Sequence, residues 1–193
     1  MARIEPLAWD DVPAESRRLM EAGTATGMYT TTMPLQVIAY SSVALKAMHE
    51  QYDATFNKGV LEPRLVELLR LHSAAVQGCG PCGASRKDDS ITEDDVACLM
   101  APNPSQFTPR EYAALCFYDK LDRDHHSIND DTFRDLATVF STAEIIEMAY
   151  LCSNFLGGHR LMHTFGFFSA DPPIIAPDPT QIDRSLAETP ISA

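Results

Sequence analysis

Pro63-Arg-Leu-Val-Glu67-Leu-Leu-Arg70-Leu-His72-Ser-Ala-Ala-Val-Gln-Gly78-Cys79-Gly-Pro-Cys82-Gly-Ala-Ser-Arg86 is the stretch from which the rest of the chain is read. Proline suits the first turn of a helix, where its missing N–H leaves nothing unpaired. Leu65, Leu68 and Leu69, with the small Ala74 and Ala75, then form one apolar face, and Gly78 supplies the stop. The spacing predicts a helix over 64–77 and a short one from about Cys79 to Asp88.

Working outward, other segments carry the same helical period, and no run alternates apolar and polar residues over the length of a strand. Thr108-Pro109-Arg110-Glu111 and Ser141-Thr142-Ala143-Glu144 are capping boxes. Thr92 precedes three acids that suit a first helical turn. Pro34 opens a helix expected to run to Asn57, and Ala14 to Ala22 a weaker one. The last helix is expected to run from Ser141 towards Phe168, with Gly157-Gly158 a point of kinking or interruption. The fold class is all-α: a compact multi-helix bundle forming one domain over 1–168. Beyond it, residues 169–193 hold Pro172, Pro173, Pro177, Pro179 and Pro190 and read as an extended arm.

The chain has 193 residues, with 15 Lys+Arg against 27 Asp+Glu and a formal charge of −12. That balance, with no basic cluster longer than Arg17-Arg18 or Arg86-Lys87, argues against a nucleic-acid or anionic-membrane partner. The longest uncharged stretch, 22–45, is too rich in Thr, Ser, Gly and Pro for a bilayer. The N-terminus lacks the basic start and apolar run of a signal peptide, so a cytoplasmic location is expected. Of five cysteines, Cys98, Cys116 and Cys152 read as small core residues.

Cys79 and Cys82 carry the chemistry. A Cys-x-x-Cys at a helix start places two thiols within disulfide reach and favours a thiolate, so a reversible dithiol/disulfide couple follows. Gly80-Pro81 is also the dipeptide of thioredoxin sites, but the mixed strand and helix pattern of that fold is missing. With its surroundings, the segment resembles the alkyl hydroperoxidase D-like branch of the carboxymuconolactone decarboxylase superfamily. The resemblance rests on Glu67 twelve residues before the first cysteine, the Gly-Cys-x-x-Cys entry, the segment Phe107 to Leu115, and the Glu144-Ile-Ile-Glu-Met helix running to Asn154 and Arg160.

The resemblance implies an all-helical homo-oligomer that reduces a hydroperoxide substrate and is restored by a thiol or dithiol reductant. It implies Cys82 as the attacking thiolate and Cys79 as the resolving one; position alone would favour Cys79 as the more exposed nucleophile. Redox members of that branch carry a histidine four residues after the second cysteine, and some another just before it. Here Arg86 and Pro81 stand in those places. Arg86 is expected to hold the thiolate, since a guanidinium lowers a thiol pKa but relays no proton. Glu67 is expected to manage protons, through His72 or water.

No cofactor site is legible. Half a zinc site is the rival reading of the cysteines, but the other suitable pair, His159 and His163, lies about 75 residues away, outside the compact spacing of zinc modules, so no metal is expected. Those histidines read as packing and surface residues, and His125-His126 as a solvated loop. A lactone-acid lyase and a catalytically inactive structural or binding oligomer are the alternative functions.

Overall fold

The computed structural model describes residues 2–167, so the expected arm over 169–193 lies outside the described residues. Among them are helices α1 (Ala14–Ala25), α2 (Met33–Ile38), α3 (Ser42–Asn57), α4 (Pro63–Val76), α5 (Gly80–Ala84), α6 (Glu93–Cys98), α7 (Pro109–Arg123), α8 (Asp130–Leu136) and α9 (Thr142–Thr164), with two 3-10 turns and no strand. None of these helices is long and apolar enough to cross a membrane.

The contacts fall into two compact units. One comprises residues 2–59 and 161–167. Val12, Met20, Leu35, Ile38, Ala39 and Leu45 form its core, flanked by Leu7, Tyr29, Met48 and Met162. The single helix expected from Pro34 to Asn57 is divided here. Ser41 adopts an extended conformation and its hydroxyl accepts from Ala44 N–H, so the chain stops at α2 and restarts as α3. The helix expected over 14–22 extends to Ala25. Tyr29 packs its ring against Gly23, where a Cβ would sit 2.3 Å from that ring.

Residues 60–160 form the other unit, in which α4 lies against α7. Leu65, Leu68 and Leu69 of α4 are fully buried, as are Leu115 and Tyr118 of α7 and Met148 and Cys152 of α9. Each such leucine contributes about 1.5–3 kcal/mol relative to exposure. Helix starts are fastened twice. Asp95, Glu111 and Glu144 complete the capping boxes of Thr92, Thr108 and Ser141. Each acid also meets an arginine from another segment, Arg64 for the first two and Arg110 for the third. Arg110 further grips Glu62 through two hydrogen bonds of 2.7 and 2.9 Å and lies 4.2 Å from the Phe140 ring centre. The last helix passes through Gly157-Gly158 without interruption. Its buried residues Ile145, Met148, Cys152, Phe155 and His159 recur every three or four positions.

Candidate active site

Helix α4 carries an unusual load for a buried helix: Glu67, Arg70, His72 and Ser73 are all 4% exposed or less. Buried polar groups require partners, and these four find theirs in three directions.

Glu67 and Arg70 form a two-pronged ion pair, both contacts 2.7 Å. The remaining capacity of each reaches the cysteine segment. Arg70 Nη1 donates to the Cys82 carbonyl at 2.6 Å and Nη2 to the Ser85 carbonyl at 2.8 Å, while Lys87 N–H donates to Glu67 at 2.9 Å. This explains why the helix expected to reach Asp88 ends at Ala84. Arg70 takes carbonyls that a longer helix would use, and Ser85 turns extended. A single turn also offers far less dipole than the expected helix would have given the thiols.

Gly78, at φ 68°, ends α4 in the left-handed region that favours glycine. Cys79 N–H then returns to the Ala74 carbonyl at 2.7 Å, bringing the sulfurs back against α4. Cys79 and Cys82 are joined as a disulfide, with Cα atoms 5.3 Å apart. The exposure expected from position alone is reversed: Cys79 is buried at 1%, and Cys82 is the half-buried partner. An apolar hollow of about 170 Å³ adjoins Cys79, lined among others by Leu71, Ala75, Val96 and Leu99.

His72 points elsewhere. Its Nδ1 contacts the Leu99 carbonyl at 2.6 Å and its Nε2 the Asp119 carboxylate at 2.9 Å, so both nitrogens are engaged away from Glu67. Arg86, expected at the thiolate, donates to the Gly83 and Ser85 carbonyls and pairs with Glu93 at 3.0 Å. The geometry thus directs both residues to partners other than those expected of them.

The residue that the sequence reading set aside arrives instead. One ring nitrogen of His159 lies within 4.8 Å of both sulfurs. Its Nδ1 is 2.7 Å from the Ser73 hydroxyl, which is 2.6 Å from the Tyr118 hydroxyl, and its ring stacks on Phe155. With Nδ1 engaged by Ser73, Nε2 keeps capacity for a further partner. Burial, reinforced by the charge of Arg70, pushes the His159 pKa down to about 4, so the ring is neutral at pH 7. Burial likewise pushes Tyr118 well above the usual phenol range. The signal available in the sequence was phase: His159 continues the buried stripe of α9 four residues after Phe155, whereas His163 is exposed. His125 and His126 lie exposed in a 3-10 turn.

Three solved structures show what this arrangement of helices is similar to. An uncharacterized peroxidase-related protein from Silicibacter sp. TM1040 matches with a TM-score of 0.71 at 17% identity, covering 84% of this chain and 90% of that one. An uncharacterized peroxidase-related protein from Ralstonia eutropha JMP134, described as an alkylhydroperoxidase AhpD core, gives 0.67 at 21% identity over 89% and 93%. The chain has the AhpD-like fold. A protein of unknown function from Agrobacterium tumefaciens, described as a candidate antioxidant defence protein AhpD, gives 0.58 at 22% identity over 65% and 90%. No protein-family model matches the chain, and no curated protein does. At these identities the likeness carries the AhpD-like fold alone.

Proposed function

We propose that this AhpD-like protein is a thiol-dependent peroxidase, reducing hydroperoxides through the Cys79–Cys82 couple. The observation that carries the reading is the dithiol pair itself: closed as a disulfide, with one cysteine half-buried and an imidazole beside both sulfurs. Cys82, the accessible partner, is the attacking residue. As its sulfur attacks the terminal peroxide oxygen, the thiol proton moves through His159, which is too weak a base to hold it at rest, towards the departing oxygen. The O–O bond breaks, the sulfur becomes a sulfenic acid, and the alkoxide takes the proton from His159 to leave as an alcohol. Cys79 then attacks the sulfenic sulfur, forming the disulfide and releasing water. Two thiol equivalents from an external donor restore the dithiol and depart as a disulfide.

Ser73 and Tyr118 hold the imidazole in place, and the Glu67–Arg70 pair fixes the segment that carries Cys82. The hollow beside Cys79 suits the apolar tail of a small organic hydroperoxide. A lactone-acid lyase would need a cation for the substrate carboxylate, and Arg70 is already committed to Glu67 and two carbonyls.

The test is the loss of thiols when reduced protein meets an organic hydroperoxide. Two thiols per chain are lost rapidly from the intact protein, Cys79→Ser accumulates a trappable sulfenic acid, and Cys82→Ser does not react. Thiol loss no faster than that of a free low-molecular-weight thiol overturns the proposal.

A further inference from the structure

The two sulfurs and the His159 nitrogen are three buried or half-buried donors converging within 4.8 Å. Distance along the sequence was the ground for expecting no metal here, and folding removes that distance. Two thiolates and an imidazole make a borderline-soft set that suits zinc. Tetrahedral zinc, with bonds of about 2.3 Å to sulfur and 2.0–2.1 Å to nitrogen, places its donors roughly 3.5–3.8 Å apart. Opening the disulfide frees the two cysteine side chains to rotate towards those separations, with all three donor atoms already within 4.8 Å of one another.

The surroundings are also those of a ligand set. Zinc-bound histidines are held by a hydrogen bond at the other ring nitrogen. Ser73 already makes that bond to His159 Nδ1, and Tyr118 anchors Ser73 in turn. Charge closes as well, because two thiolates neutralise one Zn²⁺ next to the paired Glu67 and Arg70. Cys82, half-buried, leaves room for water as a fourth ligand.

We propose that reduction of the Cys79–Cys82 disulfide creates a zinc site formed by Cys79, Cys82 and His159. The reductant is the external thiol donor: two thiols reduce the disulfide and leave as their own disulfide. Zinc then displaces one proton from each cysteine. A hydroperoxide reverses the step, since with two protons it oxidises the bound dithiolate to the disulfide, yielding alcohol and water and releasing the metal. The binding stands on the three donors alone; its effect on turnover rests on the peroxidase reading, because zinc occupies the attacking thiolate, its partner and the base.

The experiment titrates zinc against a chromophoric competitor, using full-length protein in reduced, metal-free form. One zinc per chain is expected for the reduced protein and none for the disulfide form. Cys79→Ser, Cys82→Ser and His159→Gln should each weaken binding at least a hundredfold, and Ser73→Ala about 10- to 100-fold. X-ray absorption at the zinc edge, which does not depend on the variants folding, should show two sulfurs near 2.3 Å and lighter donors near 2.0–2.1 Å. Equal binding by the disulfide form, undiminished binding by His159→Gln, or a shell without two sulfurs overturns the site. Peroxide consumption by chelator-treated protein is measured in parallel. Zinc binding without turnover refutes the peroxidase reading alone, turnover without zinc binding refutes the metal site alone, and turnover undiminished by one equivalent of bound zinc refutes the effect of the metal on turnover.

Discussion

Glu67→Gln removes one charge and almost no volume from a pair whose side chains are 2% and 5% exposed. Breaking a buried ion pair from one side costs about 3–5 kcal/mol, because the remaining charge is stranded away from water. Glutamine still accepts from Lys87 N–H and from one arm of Arg70, so the lower end, about 3 kcal/mol, is expected. With an unfolding slope of about 2 kcal/mol per molar urea, the midpoint of the transition involving residues 60–160 should fall by about 1.5 M. Urea titrations followed by far-ultraviolet circular dichroism measure it. Glu67→Gln combined with Arg70→Met strands neither charge and should cost less than the two single changes together, leaving mainly the Cys82 and Ser85 carbonyls without donors. A loss below about 1 kcal/mol for Glu67→Gln would refute the buried clamp. Unchanged stability with lost peroxide turnover would restore Glu67 to the proton-handling role implied by resemblance.

Other consequences are equally direct. Gly78→Ala forces a side chain into a left-handed position, so it should cost about 1–2 kcal/mol in the same titration. Thr108→Ala removes the hydroxyl that accepts from Glu111 N–H at the start of α7, with an expected loss of about 1 kcal/mol by thermal melting. The Ser141 amide, Arg110 and the Ser141 hydroxyl hold Glu144 at a pKa of about 2, against an ordinary 4.5. Its contribution to stability is therefore complete above pH 4.5 and is lost as the pH falls towards 2. Glu144→Gln should flatten the thermal midpoint across that window, and a profile as steep as that of the unaltered protein would contradict the assignment. Leu68→Ala, at a fully buried position on α4, should cost about 2–5 kcal/mol in urea.

The parts of the fold legible in the sequence were those set by neighbours along the chain. Thr92, Thr108 and Ser141 announce helix starts because a cap and its acid stand three residues apart, and Gly78 announces a stop for a similarly local reason. The break after Ile38 was missed because one serine turned from a helix interior to a cap. Helix α8, capped by Asn129, was overlooked among charged residues. The cysteines were legible as a pair, whereas their surroundings were not. Nothing near Arg70 in the sequence marks it as the clamp that folding makes it on the Cys82 carbonyl. His72 lay close in sequence yet faces Asp119. His159 lies 77 positions beyond Cys82, and only the packing of α9 brings it to the sulfurs.

The three directions taken by the polar residues of α4 also settle where that helix can sit. Glu67 and Arg70 meet the segment around α5, His72 meets Leu99 and Asp119, and Ser73 meets Tyr118 and His159. A helix of leucines alone could slide or rotate by a residue and still find oil around it. This one would strand several buried groups at once, at about 1–3 kcal/mol each. Its polar side chains work like the cuts of a key, giving an otherwise greasy rod one register in which it fits.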